Sequence, residues 1–149
     1  PVADNFTDAT MQRLVNDGND IAYHAYVHPA VDAAKTMTRE EWNEDYQKWQ
    51  EALRAKLGED LFDKAFAPFT RVPYGPWTFE YLSFAKENGL TPAFWSADNH
   101  AFEPKRMPLR DGGIIILHAV PEDIPVLQTL LEKDWKVVSL RQAMAGSCK

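Results

Sequence analysis

Apolar positions along the chain follow two alternating rhythms, one of short runs and one with a period near 3.6, and each predicts a different element. Thr7 or Asp8 caps a first helix with Met11, Leu14 and Val15 turned inward, and Asp17-Gly18 stops it. A short strand through Ile21 follows at about 20–24. Residues 25–37 read as a loop because Pro29 interrupts any helix there. Thr38-Arg39-Glu40-Glu41 is a capping box. It opens the longest helix, in which Trp42, Tyr46, Trp49, Leu53 and Leu57 form one continuous face before Gly58 ends it. A further helical turn carries Leu61, Phe62 and Phe66.

Phe69 to Val72 reads as a strand ending at Pro73. Pro76 starts a helix with Phe79, Leu82, Phe84 and Ala85 partly inward, ended by Asn88-Gly89. Residues 92–97 read as a strand, and a loop broken by Pro104 and Pro108 runs to Gly113. Ile114 to Leu117 is expected to be a strand buried on both faces. Pro121 begins a helix with Ile124, Leu127, Leu130 and Leu131, Lys136 to Leu140 a last strand, and 141–145 a final turn. Strands alternating with helices imply parallel pairing through helical crossovers. About five strands fit an open doubly wound sheet or part of a β/α barrel, and in both the chemistry gathers at the carboxyl ends of the strands. No glycine-rich phosphate-binding fingerprint is present, which argues against a dinucleotide site.

Composition narrows the classes further. The 149 residues have the size of one domain, with no repeat or linker. The net charge of −6 comes without a basic stripe, which argues against nucleic-acid binding. No apolar run approaches the ~20 residues that span a bilayer. The single cysteine, Cys148, excludes a disulfide framework and a cysteine-built zinc site, and leaves a tail thiol or a bridge to a second chain.

Titratable groups recur just after the predicted strands. His24 and His28 have a spacing that lets a strand end and its loop bind one metal, or that leaves two surface histidines. His118 emerges from the Ile114 run, which suits a proton donor or a core histidine bonded to a carbonyl. Asp98 is placed to orient His118, or to form a turn before Asn99. Arg71 either balances a buried carboxylate or is a solvated strand end. Pro73-Tyr74-Gly75-Pro76 forces a tight turn whose backbone N–H groups could hold an oxyanion. Trp42 and Trp49 belong to the core stripe, whereas Trp77 and Trp95 lie near strand ends, where they either pack or line a sugar-binding wall.

In this order the segments resemble the motifs of the polysaccharide deacetylase family, the group that contains chitin and peptidoglycan N-deacetylases. The stretch from Gly18 to Pro29 resembles its second motif, in which two histidines three residues apart bind zinc. Arg71-Val72-Pro73-Tyr74-Gly75 resembles the third, Trp95-Ser96-Ala97-Asp98 the fourth, and Ile116-Leu117-His118 the fifth. The resemblance covers nearly the whole of residues 1–149. It implies a single α/β domain: a partial or distorted β/α barrel with mostly parallel strands. It also implies metal-dependent removal of N-acetyl or O-acetyl groups from a polysaccharide such as chitin or peptidoglycan. His24 and His28 would be ligands of zinc or another divalent metal. The Tyr74 backbone would hold the oxyanion, and His118 would be the general acid with Asp98 tuning it. Arg71 would pair with the base carboxylate, and Trp95, Tyr74 and Pro73 would contact the sugar. A secreted or cell-envelope location is expected on the same ground.

The departures are specific. The family's first motif, a Thr-Phe-Asp-Asp-Gly type sequence that supplies the base and the third metal ligand, is absent from the 23 residues before His24. Val72 replaces the first proline of the third motif, Ala22-Tyr23 a Gly-Asn pair, and Ala101-Phe102 an Asp-Trp pair. The expectation is therefore a domain lacking its first strand or two, completed by an N-terminal segment or a second chain. The alternatives are an inactive fragment of a longer deacetylase and a glycan-binding relative without catalysis.

Overall fold

The computed structural model describes residues 7–98, 110–133 and 135–146. Two compact units divide the chain, Pro1–Ala93 and Phe94–Lys149.

In the first unit, α1 (Asp8–Asn16) is capped by the Thr7 hydroxyl, as its sequence implies. It buries Met11 and Val15, while Leu14 stays near the surface. β1 (Ile21–Tyr23) follows. The expected loop at 25–37 contains a short helix, α2 (Val31–Thr36), anchored by the fully buried Ala34. Pro29 forbids helix through itself and before itself but not two residues later. α3 (Arg39–Leu57) has both arms of the capping box in place and buries Trp42, Tyr46, Trp49, Leu53 and Leu57, as the spacing predicts. α4 (Glu59–Ala65) leads directly into β2 (Phe66–Thr70). Phe66 thus opens a strand instead of closing a helix, and Val72 lies beyond the strand, buried. α5 (Phe79–Glu87), capped by Thr78, precedes β3 (Thr91–Pro92).

The three strands form one parallel sheet in the order β1-β2-β3. Ile21 lies opposite Phe66 and Tyr23 opposite Thr70, with an irregularity between, and Phe69 and Thr70 lie opposite Thr91 and Pro92. α5 packs with Tyr81, Phe84 and Ala85 inward, whereas Phe79 is 80% exposed. Positions 81, 84, 85 and 88 form a complete helical stripe, and the tyrosine completes it where Phe79 and Leu82 do not. Tyr23 sits among Tyr46, Trp49 and Phe84, with ring centroids 5.0–5.6 Å apart in edge-on contacts. Edge-to-face pairs are the favourable aromatic geometry, and this cluster ties the end of β1 to α3 and α5.

In the second unit, β4 (Ala97–Asp98) and β5 (Ile115–Ile116) pair in parallel, Ala97 opposite Ile115 and Asp98 opposite Ile116. The single strand expected at 92–97 is thus two short strands, β3 and β4, in different units. Only Ile116 of the Ile114–Leu117 run is buried, so the strand is not covered on both faces. A 3-10 turn (Pro121–Asp123) leads into α6 (Ile124–Glu132). That helix buries Leu130 as expected, together with Val126, and leaves Ile124, Leu127 and Leu131 exposed. Residues 136–139 are irregular where a strand was expected, and Leu140 begins α7 (Leu140–Met144), capped by Ser139. A cavity of about 620 Å³ lies within this unit, lined by Ile114, Leu130, Trp135, Val137 and Leu140 among others. None of the helices in the described residues is long and apolar enough to cross a membrane.

Because the Thr38 hydroxyl accepts the Glu41 N–H and the Glu41 carboxylate accepts the Thr38 N–H, Thr38→Ala should destabilise the protein by about 1 kcal/mol. A lowered urea midpoint would show this, and an unchanged midpoint would contradict it.

Candidate active site at the strand ends

Strain marks where the first unit does something other than fold. Among the described residues, two that are not glycine have positive φ: Ala25 at 89° and Tyr74 at 60°. Each costs of order 1–3 kcal/mol and persists only where the surroundings impose it. Both lie in loops at the carboxyl ends of parallel strands, Ala25 after β1 and Tyr74 after β2.

The loop after β1 carries both histidines. Their rings lie 5.2 Å apart in an edge-on arrangement, and the Tyr74 ring packs edge-on against His28 at 4.8 Å. His24 Nδ1 is 2.7 Å from the Arg71 carbonyl oxygen, and Arg71 Nη2 is 3.1 Å from His24 Nε2. A carbonyl only accepts and a guanidinium only donates. The imidazole is therefore the Nδ1–H tautomer, with its Nε2 lone pair turned outward onto the guanidinium. Half-buried Arg71 has its pKa lowered by desolvation, opposed by the nearby Tyr81 hydroxyl. The Arg71 N–H donates to the carbonyl of Tyr23, the last residue of β1, extending the β1–β2 ladder one residue past the end of β2.

The turn after β2 is built from its prolines. Pro73 and Pro76 have no N–H, so Tyr74 and Gly75 supply the only backbone donors among the four residues. The Gly75 N–H is bonded to the Val72 carbonyl at 3.1 Å, which leaves Tyr74 as the turn's donor toward a ligand. Pro73, expected against the sugar, is buried, while the Tyr74 side chain is exposed.

One residue that the sequence argument missed holds this loop. Asp45, on α3 and only 8% exposed, accepts the Tyr23 hydroxyl at 2.5 Å and the Tyr26 N–H at 2.6 Å through Oδ1, and the Val27 N–H at 3.0 Å through Oδ2. Burial, then the hydrogen bond to Asp45, push the Tyr23 hydroxyl far above its ordinary pKa, so it stays protonated and donates. The signal was present: Asp45 lies three residues after Trp42 and four before Trp49, a carboxylate within the buried stripe.

Two neutral imidazoles suit a divalent metal in donor chemistry, but the His24 Nε2 that would bind it accepts the Arg71 guanidinium in this structure, so the guanidinium must move aside for a metal to enter. A metal-binding imidazole characteristically donates its second N–H to a carbonyl or carboxylate, and His24 does so to the Arg71 carbonyl. In number the set is short, because no group of three histidine, cysteine or acidic side chains gathers among the described residues.

In the second unit, Trp95 is half-buried and Asp98 closes β4 in register with Ile116, two residues before His118. The expected Asp98–His118 side-chain pairing lies outside the described residues, as does Cys148. Within the described residues a carboxylate from the turn before α6 accompanies His118. Asp123, 1% exposed, accepts the His118 N–H at 2.5 Å, and its Oδ2 is 3.7 Å from the ring Nδ1. Its place at the entry to α6, directly before the apolar helix, is the sequence feature that marks it. None of the sequence-predicted site residues lines the 620 Å³ cavity.

Comparison with known proteins places this geometry. A sequence model of the polysaccharide deacetylase family matches residues 3–93, the span of the first unit with both histidines, Arg71 and Tyr74. The chain belongs to that family. A chitooligosaccharide deacetylase from Azorhizobium caulinodans is 28% identical over 111 residues, covering 68% of this chain and 49% of the relative. The chain spans about half the length of the curated relatives it matches. Among solved structures, a family 4 carbohydrate esterase from Bacillus anthracis superposes with a TM-score of 0.68 at 22% identity, over 93% of this chain and 62% of that one. A family 4 pseudoenzyme from the same organism matches with a TM-score of 0.62 at 16% identity, over 85% and 45%. These likenesses confirm the α/β architecture expected from the sequence, with a parallel three-stranded sheet that does not close into a barrel.

Replacing Asp123 by Ala orphans the His118 N–H and should destabilise the protein by about 1–3 kcal/mol. The check is thermal melting beside a Glu122→Ala control on the same turn, and equal melting of the two variants would contradict the assignment.

Proposed function

We propose that the protein acts in removing acetyl groups, N-acetyl first and O-acetyl second, from a polysaccharide of the chitin or peptidoglycan kind. The observation that carries this reading is the convergence of His24, His28, Arg71 and the strained Tyr74 turn at neighbouring strand ends in a member of the family. His24 and His28 would hold zinc or another divalent metal, with a third ligand from outside the described residues. When bound, the metal supplies Lewis-acid polarisation of the acetyl carbonyl and lowers the pKa of water.

The chain's own groups take the remaining roles. The Arg71 carbonyl keeps the His24 lone pair at Nε2. The Tyr74 N–H is the donor for charge developing on the acetyl oxygen, a contribution that preorganised donors make well. The exposed Tyr74 side chain would offer an apolar face to a sugar ring. In the second unit Asp123 holds the backbone of His118, the residue to which the family resemblance gives the general-acid role together with Asp98. A secreted or cell-envelope site of action belongs to the same proposal, since that is where such polymers lie.

A second reading is a glycan-binding relative without turnover. The pair of histidines, with no third ligand among the described residues, favours it, and so does the likeness to a pseudoenzyme.

Acetate release from chitooligosaccharides and from acetylated peptidoglycan, with zinc added, separates the two readings. The first reading expects acetate release that zinc stimulates and a chelator removes. His24→Ala and His28→Ala should abolish the zinc dependence. Glycan binding without acetate release would favour the second reading, and full activity in both histidine variants would refute the first.

A further inference from the structure

We propose that Asp45 is the positioning residue of the histidine pair: its buried carboxylate fixes the backbone between His24 and His28 and thereby sets the distance between their rings. The inference rests on the reading of those histidines as ligands, yet its geometric content can be tested without a metal.

In the loop from His24 to His28 only Ala25 is buried in the core. Val27 and His28 are exposed, and Tyr26 only borders the core. The loop also contains Ala25 at a φ of 89°, a conformation that an alanine leaves unless something holds it. Besides the burial of Ala25, two bonds from the loop to one carboxylate hold it. Both oxygens of Asp45 face the loop, one bonded to the Tyr26 N–H and the other to the Val27 N–H. These N–H groups belong to two successive residues between the histidines. Hydrogen bonds from N–H groups to an ionised carboxylate are about twice as strong as neutral ones, and burial strengthens them further.

Asp45 in turn cannot drift. It sits in the middle of α3, flanked along the buried face by Trp42, Tyr46 and Trp49, and its Oδ1 also accepts the Tyr23 hydroxyl. Tyr23 is the last residue of β1, so the carboxylate links the strand end, the helix and the loop at one point. The helix is thus the rigid element against which the first histidine (at the strand end) and the second (four residues on) are measured. Such supporting contacts commonly change metal affinity by about 10–100-fold when removed.

The test is Asp45→Asn, which keeps the shape but sets an amide NH2 against at least one loop N–H. In the metal-free protein, NMR should show the contact between the His24 and His28 ring protons in the wild type and its loss in the variant. The Tyr26 and Val27 amides, protected from hydrogen exchange in the wild type despite their surface loop, should exchange at least about tenfold faster. Zinc affinity by calorimetry should fall by about 10–100-fold. Adding Ala25→Gly to the variant removes the positive-φ strain, and should restore part of both the ring contact and the affinity.

Fast exchange of the Tyr26 and Val27 amides in the wild type would overturn the proposal whether or not the variant folds. An unchanged ring contact in a folded variant would overturn it too. If the ring contact is lost in the variant while the wild type binds no zinc, the positioning role stands and the metal reading of the histidines fails.

Discussion

A carboxylate cannot remain charged inside a protein unless hydrogen bonds replace the water it has lost, and the first unit is organised around meeting that demand for Asp45. The helix that carries Asp45 is fixed by its own sequence, through a two-armed capping box at Thr38 and an aromatic face. Packing that face on the sheet buries the carboxylate, which then needs donors. The Tyr23 hydroxyl and the Tyr26 and Val27 N–H groups supply them. Satisfying Asp45 therefore imposes a shape on the loop after β1, and that shape presents two histidines beside the turn after β2. The site is a consequence of how the core resolves one buried charge.

The second loop reaches the same place by covalent constraint. Two prolines bracket Tyr74-Gly75, remove donors and restrict φ. The remaining bond, from the Gly75 N–H to the Val72 carbonyl, closes a turn that forces Tyr74 to positive φ. The parallel register between β1 and β2 places the two loops side by side, and the paired contacts between His24 and Arg71 join them. In α/β folds, loops at the carboxyl ends of parallel strands are where chemistry is assembled. Here the strained residues, the histidines and the guanidinium occupy that position together.

The elements whose signals are local were legible in the sequence. Thr38 with Glu41, the Trp42-to-Leu57 stripe, Gly58 and the Thr7 cap all predict what the structure contains. The phases of α5 and α6 were legible only in part: Phe84, Ala85 and Leu130 point inward as expected, whereas the other apolar residues of those stripes are exposed. In α6 the sets 123, 126, 130 and 124, 127, 131 have identical spacing, and a period of 3.6 cannot choose between them. The structure buries the set that includes the acid Asp123 and exposes Leu131 at 76%. Strand lengths were overestimated because a strand exists only through its ladder. Lys136 to Leu140 has a strand's composition but no ladder among the described residues. At the site, His24, His28, Arg71 and Tyr74 were found from their places after strands, and the structure gathers them. Asp45 and Asp123 escaped notice because a carboxylate within an apolar stripe or at a helix start reads as surface until its partners are known.

The central claim is that the two histidines held by this framework are ligands of one divalent ion. X-ray absorption at the zinc edge, on the zinc-loaded protein, tests it most directly. The account predicts scattering from two imidazoles in the first shell, with Zn–N near ~2.0–2.1 Å, and loss of that scattering in the His24→Ala/His28→Ala variant. A shell without imidazole, or one unchanged by the double substitution, would contradict it.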